Sequence, residues 1–271
     1  MAQEQSTVIL EKLSDVGVAR LTMNRPERRN AINQELAEEM LAALEDVRAD
    51  PSIRVVVTRG AGPSFCSGLD LYYLRSTYDQ PLGDWDRPRI THQLFEGIRN
   101  FPKVTIAQVQ GYCLGGGLAL LNSHDLAVAA RNAQIGMPEI IRGSFGQAAT
   151  GTLFHAGVPM KKAAMIQLSG RNISGEEADR LGLVSMVVDD AELEAATMQL
   201  AREVASRLPT ALIHAKIAVQ MGRDLTLAQA LRVEELIGLR QRMLADPLSE
   251  VADYLHSQKG GTRTDYRRPD V

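Results

Sequence analysis

The sequence predicts an α/β protein, a core of parallel strands and helices followed by a helical C-terminal region. Three observations predict it. In the first two-thirds of the chain, short β-branched runs alternate with segments whose apolar residues return at helical spacing. After about Gly170 the strand signal fades and the helical spacing continues alone. The composition is globular: of 271 residues, 45% are hydrophobic and 23% charged, which suits one or two domains with a sizeable core and is too apolar for disorder.

The elements follow in order. Val8–Leu10 and Val18–Met23 read as strands, with a turn at Asp15 and Gly17 between them. Asn33 can cap the next helix, in which Leu36, Met40, Ala43, Leu44 and Val47 recur at helical spacing. Asp50-Pro51 ends that helix, because proline lacks the N–H to continue it and disfavours helical geometry before it. Ile53–Thr58, Val104–Val109 and Leu126–Ala130 are short apolar runs of the kind buried on both faces of a parallel sheet, and a helical stretch at Thr91–Asn100 leads into the second. Such repetition argues for parallel pairing. Ser174-Gly-Glu-Glu177 is a capping box that opens a short helix. Helices are expected over Ala191–Leu208, Thr210–Gly222, Thr226–Leu244 and Leu248–Ser257, the third with Val233, Leu236, Ile237, Met243 and Leu244 on one stripe. The tail from Lys259 is expected to be loosely ordered.

Composition excludes several functions. A net charge of −3 and a pI near 6.0 argue against nucleic acid or anionic membrane as the dominant partner. No apolar stretch approaches the ~20 residues that span a bilayer, and the N-terminal MAQEQSTVIL lacks a signal-peptide core. Two cysteines, Cys66 and Cys113, do not make a disulfide framework, so a reducing, cytoplasmic setting is expected. Neither CxxC nor HExxH spacing occurs, which leaves no case for zinc.

Three segments could carry chemistry. Residues 59–70, RGAGPSFCSGLD, follow a buried-type strand and precede a helix. Residues 110–119, QGYCLGGGLA, do the same. Glycines at such junctions let the backbone turn sharply and present free N–H groups, and two sets of them could converge on one oxygen, as an oxyanion hole requires. Each cluster alone is equally what a tight turn needs, and neither fits a dinucleotide or phosphate loop. The third segment, QIGMPE at 134–139, places Glu139 after Pro138. Alone, that glutamate reads as a solvated surface charge.

Together the segments say more. NRPERRNAIN (24–33), SFCSGLDL (64–71), GYCLGGGLAL (111–120), QIGMPEI (134–140) and ISGEEADRLGLV (173–184) occur in this order. In this respect the chain resembles the enoyl-CoA hydratase/isomerase, or crotonase, family from about Val8 to Tyr254. The resemblance implies a spiral of repeated ββα units over residues 1–200, forming the acyl-CoA-binding core. Residues 201–271 would be a helical region that builds a homotrimer, or a hexamer of two trimers. It implies a coenzyme A thioester as substrate and no separate cofactor. The thioester oxygen would be held by the backbone N–H groups of Leu69 and Gly116, because charge gathers on that oxygen as a C2 proton leaves or a nucleophile adds at C3. Glu139 would be the acid/base. Coenzyme A would run past Arg28, Arg29 and Ala31, with Ser67, Asp70, Leu71, Tyr72 and Gly115 also toward the substrate and Tyr254 reaching a neighbouring subunit's ligand. Asp70 has a structural reading too, as the cap of the next helix.

The sequence departs from the pattern at one important place. Hydratases of this family carry a glutamate two residues after GGG, and here that residue is Ala119. A methyl group cannot hold or deprotonate water. One carboxylate suits double-bond isomerisation, hydration by a single base, or the branch that hydrates and cleaves aromatic enoyl-CoAs. A non-catalytic acyl-CoA-binding protein is the alternative from another class. His124 and His155 are candidate second acids or bases that also read as packed structural residues. Tyr72, Tyr73, Tyr78 and Trp85 cluster in 71–89, which suits either an aromatic acyl pocket or a subunit contact.

Overall fold

The computed structural model describes residues 6–78 and 89–244. Trp85, Tyr254, the expected helix at Leu248–Ser257 and the tail from Lys259 lie outside them. The chain divides into two compact units, the first ending at Ser206 and the second beginning at Arg207.

In the first unit, β1 (Val8–Leu13) pairs antiparallel with β2 (Val18–Met23), with Leu10 opposite Leu21. The helix α1 (Gln34–Ala49) starts where the Asn33 side chain accepts the Leu36 N–H at 3.0 Å and ends at Asp50, one residue before Pro51. Its face of Leu36, Met40, Leu44 and Val47 is buried. The next strand, β3 (Val55–Gly60), begins two residues later than the apolar run suggests, because the Ile53 N–H closes a turn onto Asp50 instead of joining the ladder. A helix α2 (Leu71–Tyr78) follows, then α3 (Ile90–Arg99), β4 (Val104–Val109), the short β5 (Tyr112–Leu114) and α4 (Gly116–Asn122). Strand β6 (Leu126–Ala130), β7 (Gln134–Gly136) and a 3-10 turn over Pro138–Arg142 lead to helices α5 (Gln147–His155) and α6 (Met160–Ser169). The unit closes with β8 (Ile173–Ser174), α7 (Gly175–Arg180), β9 (Met186–Val188) and α8 (Leu193–Ala205), and Ser174 with Glu177 forms the expected capping box.

Two sheets result. The larger has the order β1-β2-β3-β4-β6-β9, parallel from β2 onward, and the smaller is β5-β7-β8. Every residue of β4 is buried, as the apolar run requires of a strand covered on both faces. The parallel strands share one polarity, so the loops leaving the ends of β3 and β4 emerge on the same side. The site stands there.

The second unit contains α9 (Pro209–Asp224), with proline at its first position, and α10 (Leu227–Leu244), packed on each other.

Candidate active site

The two glycine-rich segments lie side by side, backbone against backbone. The Cys66 N–H donates to the Tyr112 carbonyl at 2.9 Å, and the Leu114 N–H donates to the Cys66 carbonyl at 3.0 Å. A methyl group on Gly117 would stand 2.4 Å from the Cys66 carbonyl oxygen, inside contact distance, so this approach requires glycine. The same closeness brings Gly116 to Leu69, since a methyl built on Gly116 would lie 3.2 Å from the Leu69 nitrogen. Gly116 is the first residue of α4, where the N–H has no helical partner. Leu69 is flanked by paired groups: the Gly68 carbonyl accepts from Ile32, and the Asp70 N–H donates to Ile32. Among the described residues, neither the Leu69 nor the Gly116 N–H donates to another backbone group outside regular helix and strand.

Glu139 closes the site. Pro138 opens the 3-10 turn and Glu139 follows it, half-buried. The carboxylate lies over Gly115, where φ is +53° and a methyl would come within 2.0 Å of Oε1. Oε2 is fully buried and has no hydrogen-bond partner. Burial therefore raises the Glu139 pKa above the ordinary 4.5, and its own N–H and the charge of Arg142 oppose that only in part.

A cavity of about 810 Å³ collects these groups, a volume suited to a small-molecule site. Of the residues expected from sequence, Leu69, Gly115, Gly116, Glu139, Ser67 and Leu71 line it. Arg28, Asp70 and Tyr72 line a separate depression of about 550 Å³ together with Arg25. There the Arg28 guanidinium stacks over the Tyr72 ring at 5.3 Å. Arg29 stacks over Tyr112 at 4.9 Å, and its carbonyl accepts the Ser67 N–H at 2.9 Å. Ala31 is buried. Asp70 is committed to structure, since its carboxylate caps α2 through the Tyr72 N–H at 2.9 Å and pairs with Arg25 at 3.1 Å. Burial alone would raise its pKa, and the bonds from Arg25, Tyr73 and Tyr72 outweigh that and hold it low.

The other candidates fall away from the cavity. His124 uses both ring nitrogens, one on the Leu120 carbonyl and one on the Thr58 hydroxyl, each at 2.8 Å. His155 ends α5 on an exposed position that does not line the cavity. Cys66 and Cys113 are buried free thiols, and burial pushes Cys66 up to about 12, so neither is a ready nucleophile. Ala119 is fully buried in α4 and brings no polar group to the site. Sequence reading missed Arg75, Arg89, His92 and Arg142, which also line the cavity. They come from α2, the start of α3 and the 3-10 turn, and no spacing in the chain links them.

The family model for enoyl-CoA hydratase/isomerase matches residues 14–247. A hydroxycinnamoyl-CoA hydratase-lyase from Pseudomonas fluorescens is 34% identical over 221 residues, 79% of this chain and 78% of that one. An (E)-benzylidenesuccinyl-CoA hydratase from Thauera aromatica is 34% identical over 81% of this chain and 85% of its own. The crystal structure of an enoyl-CoA hydratase from Polaromonas sp. JS666 superposes with a TM-score of 0.83 at 27% identity, covering 96% of this chain and 99% of that one. Fold, family match and relatives point the same way, and the chain belongs to the enoyl-CoA hydratase/isomerase (crotonase) family of enzymes.

Proposed function

We propose that the protein isomerises or hydrates an enoyl-CoA thioester with Glu139 as its single acid/base. The observation that carries this reading is the buried, unpartnered Oε2 of Glu139 in the cavity that Leu69 and Gly116 also line. In isomerisation, Glu139 takes a proton from C2 of a 3-enoyl thioester. The electron pair moves onto the thioester oxygen, where the Leu69 and Gly116 N–H groups stabilise the negative charge. The proton then returns at C4, and the double bond has moved from C3–C4 to C2–C3. In hydration, water adds its oxygen at C3 and a proton arrives at C2. A raised carboxyl pKa favours both, because the group holds and releases a proton closer to neutral pH.

A second reading is supported by the relative from Pseudomonas fluorescens, a hydroxycinnamoyl-CoA hydratase-lyase by name. Under it, an aromatic enoyl-CoA is hydrated and then cleaved between C2 and C3, giving an aldehyde and acetyl-CoA. Coenzyme A enters as part of the substrate, with no further cofactor. Arg28, Arg29 and Ala31 are assigned to its nucleotide arm and Tyr254 to a neighbour's ligand, in a homotrimer or a pair of trimers. The buried free thiols support a cytoplasmic setting.

The test compares three reactions in the natural protein and in Glu139→Gln: isomerisation of 3-hexenoyl-CoA, hydration of crotonyl-CoA, and aldehyde release from feruloyl-CoA. Loss of one of these in the variant, with acetyl-CoA binding retained, supports the reading. Turnover that survives undiminished in Glu139→Gln overturns it.

A further inference from the structure

Among the described residues, the wall around Glu139 carries more positive than negative charge. Arg75 comes from α2, Arg89 stands immediately before α3, and Arg142 ends the 3-10 turn that also carries Glu139. Among the described residues, Glu139 is the sole carboxylate lining this cavity. The three arginines line it as exposed residues. The lining also includes the apolar Leu74, Phe95 and Phe145.

An acyl chain with a neutral tip needs only the apolar part of that wall. Three guanidiniums beside one carboxylate suit a different occupant. Arginine presents a planar fork of donors that matches a carboxylate and forms charge-assisted hydrogen bonds with it. A second carboxylate in the same cavity as Glu139 would meet like-charge repulsion. Arg142 is placed to offset it, since its charge already acts on Glu139. We propose that the acyl group carries its own carboxylate, so that the substrate is the thioester of a dicarboxylic acid. Arg75, Arg89 and Arg142 bind the free carboxylate while the thioester oxygen sits at Leu69 and Gly116. This rests on the reading of the cavity as an acyl-CoA site and narrows its substrate class.

Calorimetric titration of the full chain tests it, with glutaryl-CoA, the terminal amide of glutaryl-CoA, and the pantetheine thioesters of both. The amide matches the acid in shape and lacks its charge. The acid is expected to bind about tenfold more tightly than the amide in both series. That ratio should fall toward one in Arg75→Gln/Arg142→Gln. An equal Kd for acid and amide overturns the proposal and leaves the coenzyme A site standing. Arginine substitutions that weaken the coenzyme A thioesters and spare the pantetheine ones show that the guanidiniums bind the phosphates, which also overturns it. If no thioester binds, the acyl-CoA reading fails and this proposal fails with it. The acid–amide comparison uses the natural protein, so the result does not depend on a variant folding.

Discussion

Replacing Glu139 with glutamine separates two effects of its burial. The amide keeps the shape and cannot accept a proton, so turnover should drop ~10²–10⁴-fold while acetyl-CoA binding persists. The same change should stabilise the fold at neutral pH. Glu139 has a raised pKa in the folded state, so the folded chain holds its proton more tightly than the unfolded one, and stability falls as pH rises from the ordinary 4.5 through the folded value. Thermal melts should therefore show a higher Tm for Glu139→Gln at pH 7, with the gain disappearing near pH 4, where both states are protonated. The same direction governs the rate: the acidic limb of kcat/KM should lie above the ordinary glutamate range, and Arg142→Gln should move it higher by removing the charge that pulls it down. At 119, Ala119→Glu supplies the carboxylate that this chain lacks. Crotonyl-CoA hydration should rise relative to isomerisation if the buried helix position admits the longer side chain. Glu139 and Ala119 were legible in the sequence because each sits at a fixed offset from a motif. Arg75, Arg89 and Arg142 were not, because only the folded chain brings three separate elements to one cavity.

The two glycine loops depend on their mutual distance. Gly117→Ala would press a methyl against the Cys66 carbonyl and force the loops apart, at a cost of about 1–3 kcal/mol. Gly151, in the middle of α5, has nothing within 4 Å of an added methyl. Gly151→Ala should therefore stabilise by roughly 0.5–1 kcal/mol through helix propensity alone. Urea midpoints of the two variants should move in opposite directions, and only Gly117→Ala should lose activity. The strands β4 and β6 were readable to the residue, because both faces are covered and the runs are mostly apolar, with only Thr105 and Gln108 as polar residues. The strands β5, β7, β8 and β9 were not, since two or three residues leave no periodicity and only the neighbouring strand defines them. Helices α5 and α6 escaped notice for a related reason: each buries two residues, while Phe154, Met160 and Leu168 stay exposed and blur the stripe.

At the scale of the molecule, the exposed apolar residues set an expectation for assembly. In α10, of the stripe expected from sequence, Leu236 is 64% exposed, Met243 80% and Leu244 59%, while Val233 and Ile237 are half-buried. In the first unit, Ile141 and Leu168 are similarly bare. Surfaces of this kind are buried between subunits in stable oligomers. Light scattering at micromolar concentration should give three or six times 29.6 kDa, and a steady mass of one chain would contradict the trimer. Leu236→Glu/Met243→Glu should shift the mass downward. Among the described residues, no helix is long and apolar enough to cross a membrane.

The two thiols behind the glycine loops offer a way to time their opening. The Cys66 sulfur donates toward the Gly68 carbonyl and the Cys113 sulfur toward the Gly117 carbonyl, so each is latched to one of the segments that present Leu69 and Gly116. A maleimide cannot reach either sulfur until those segments part. Its rate of attachment then counts separations of the loops rather than ordinary side-chain motion. A thioester lodged against both N–H groups should slow that clock in proportion to its occupancy, without any turnover being measured.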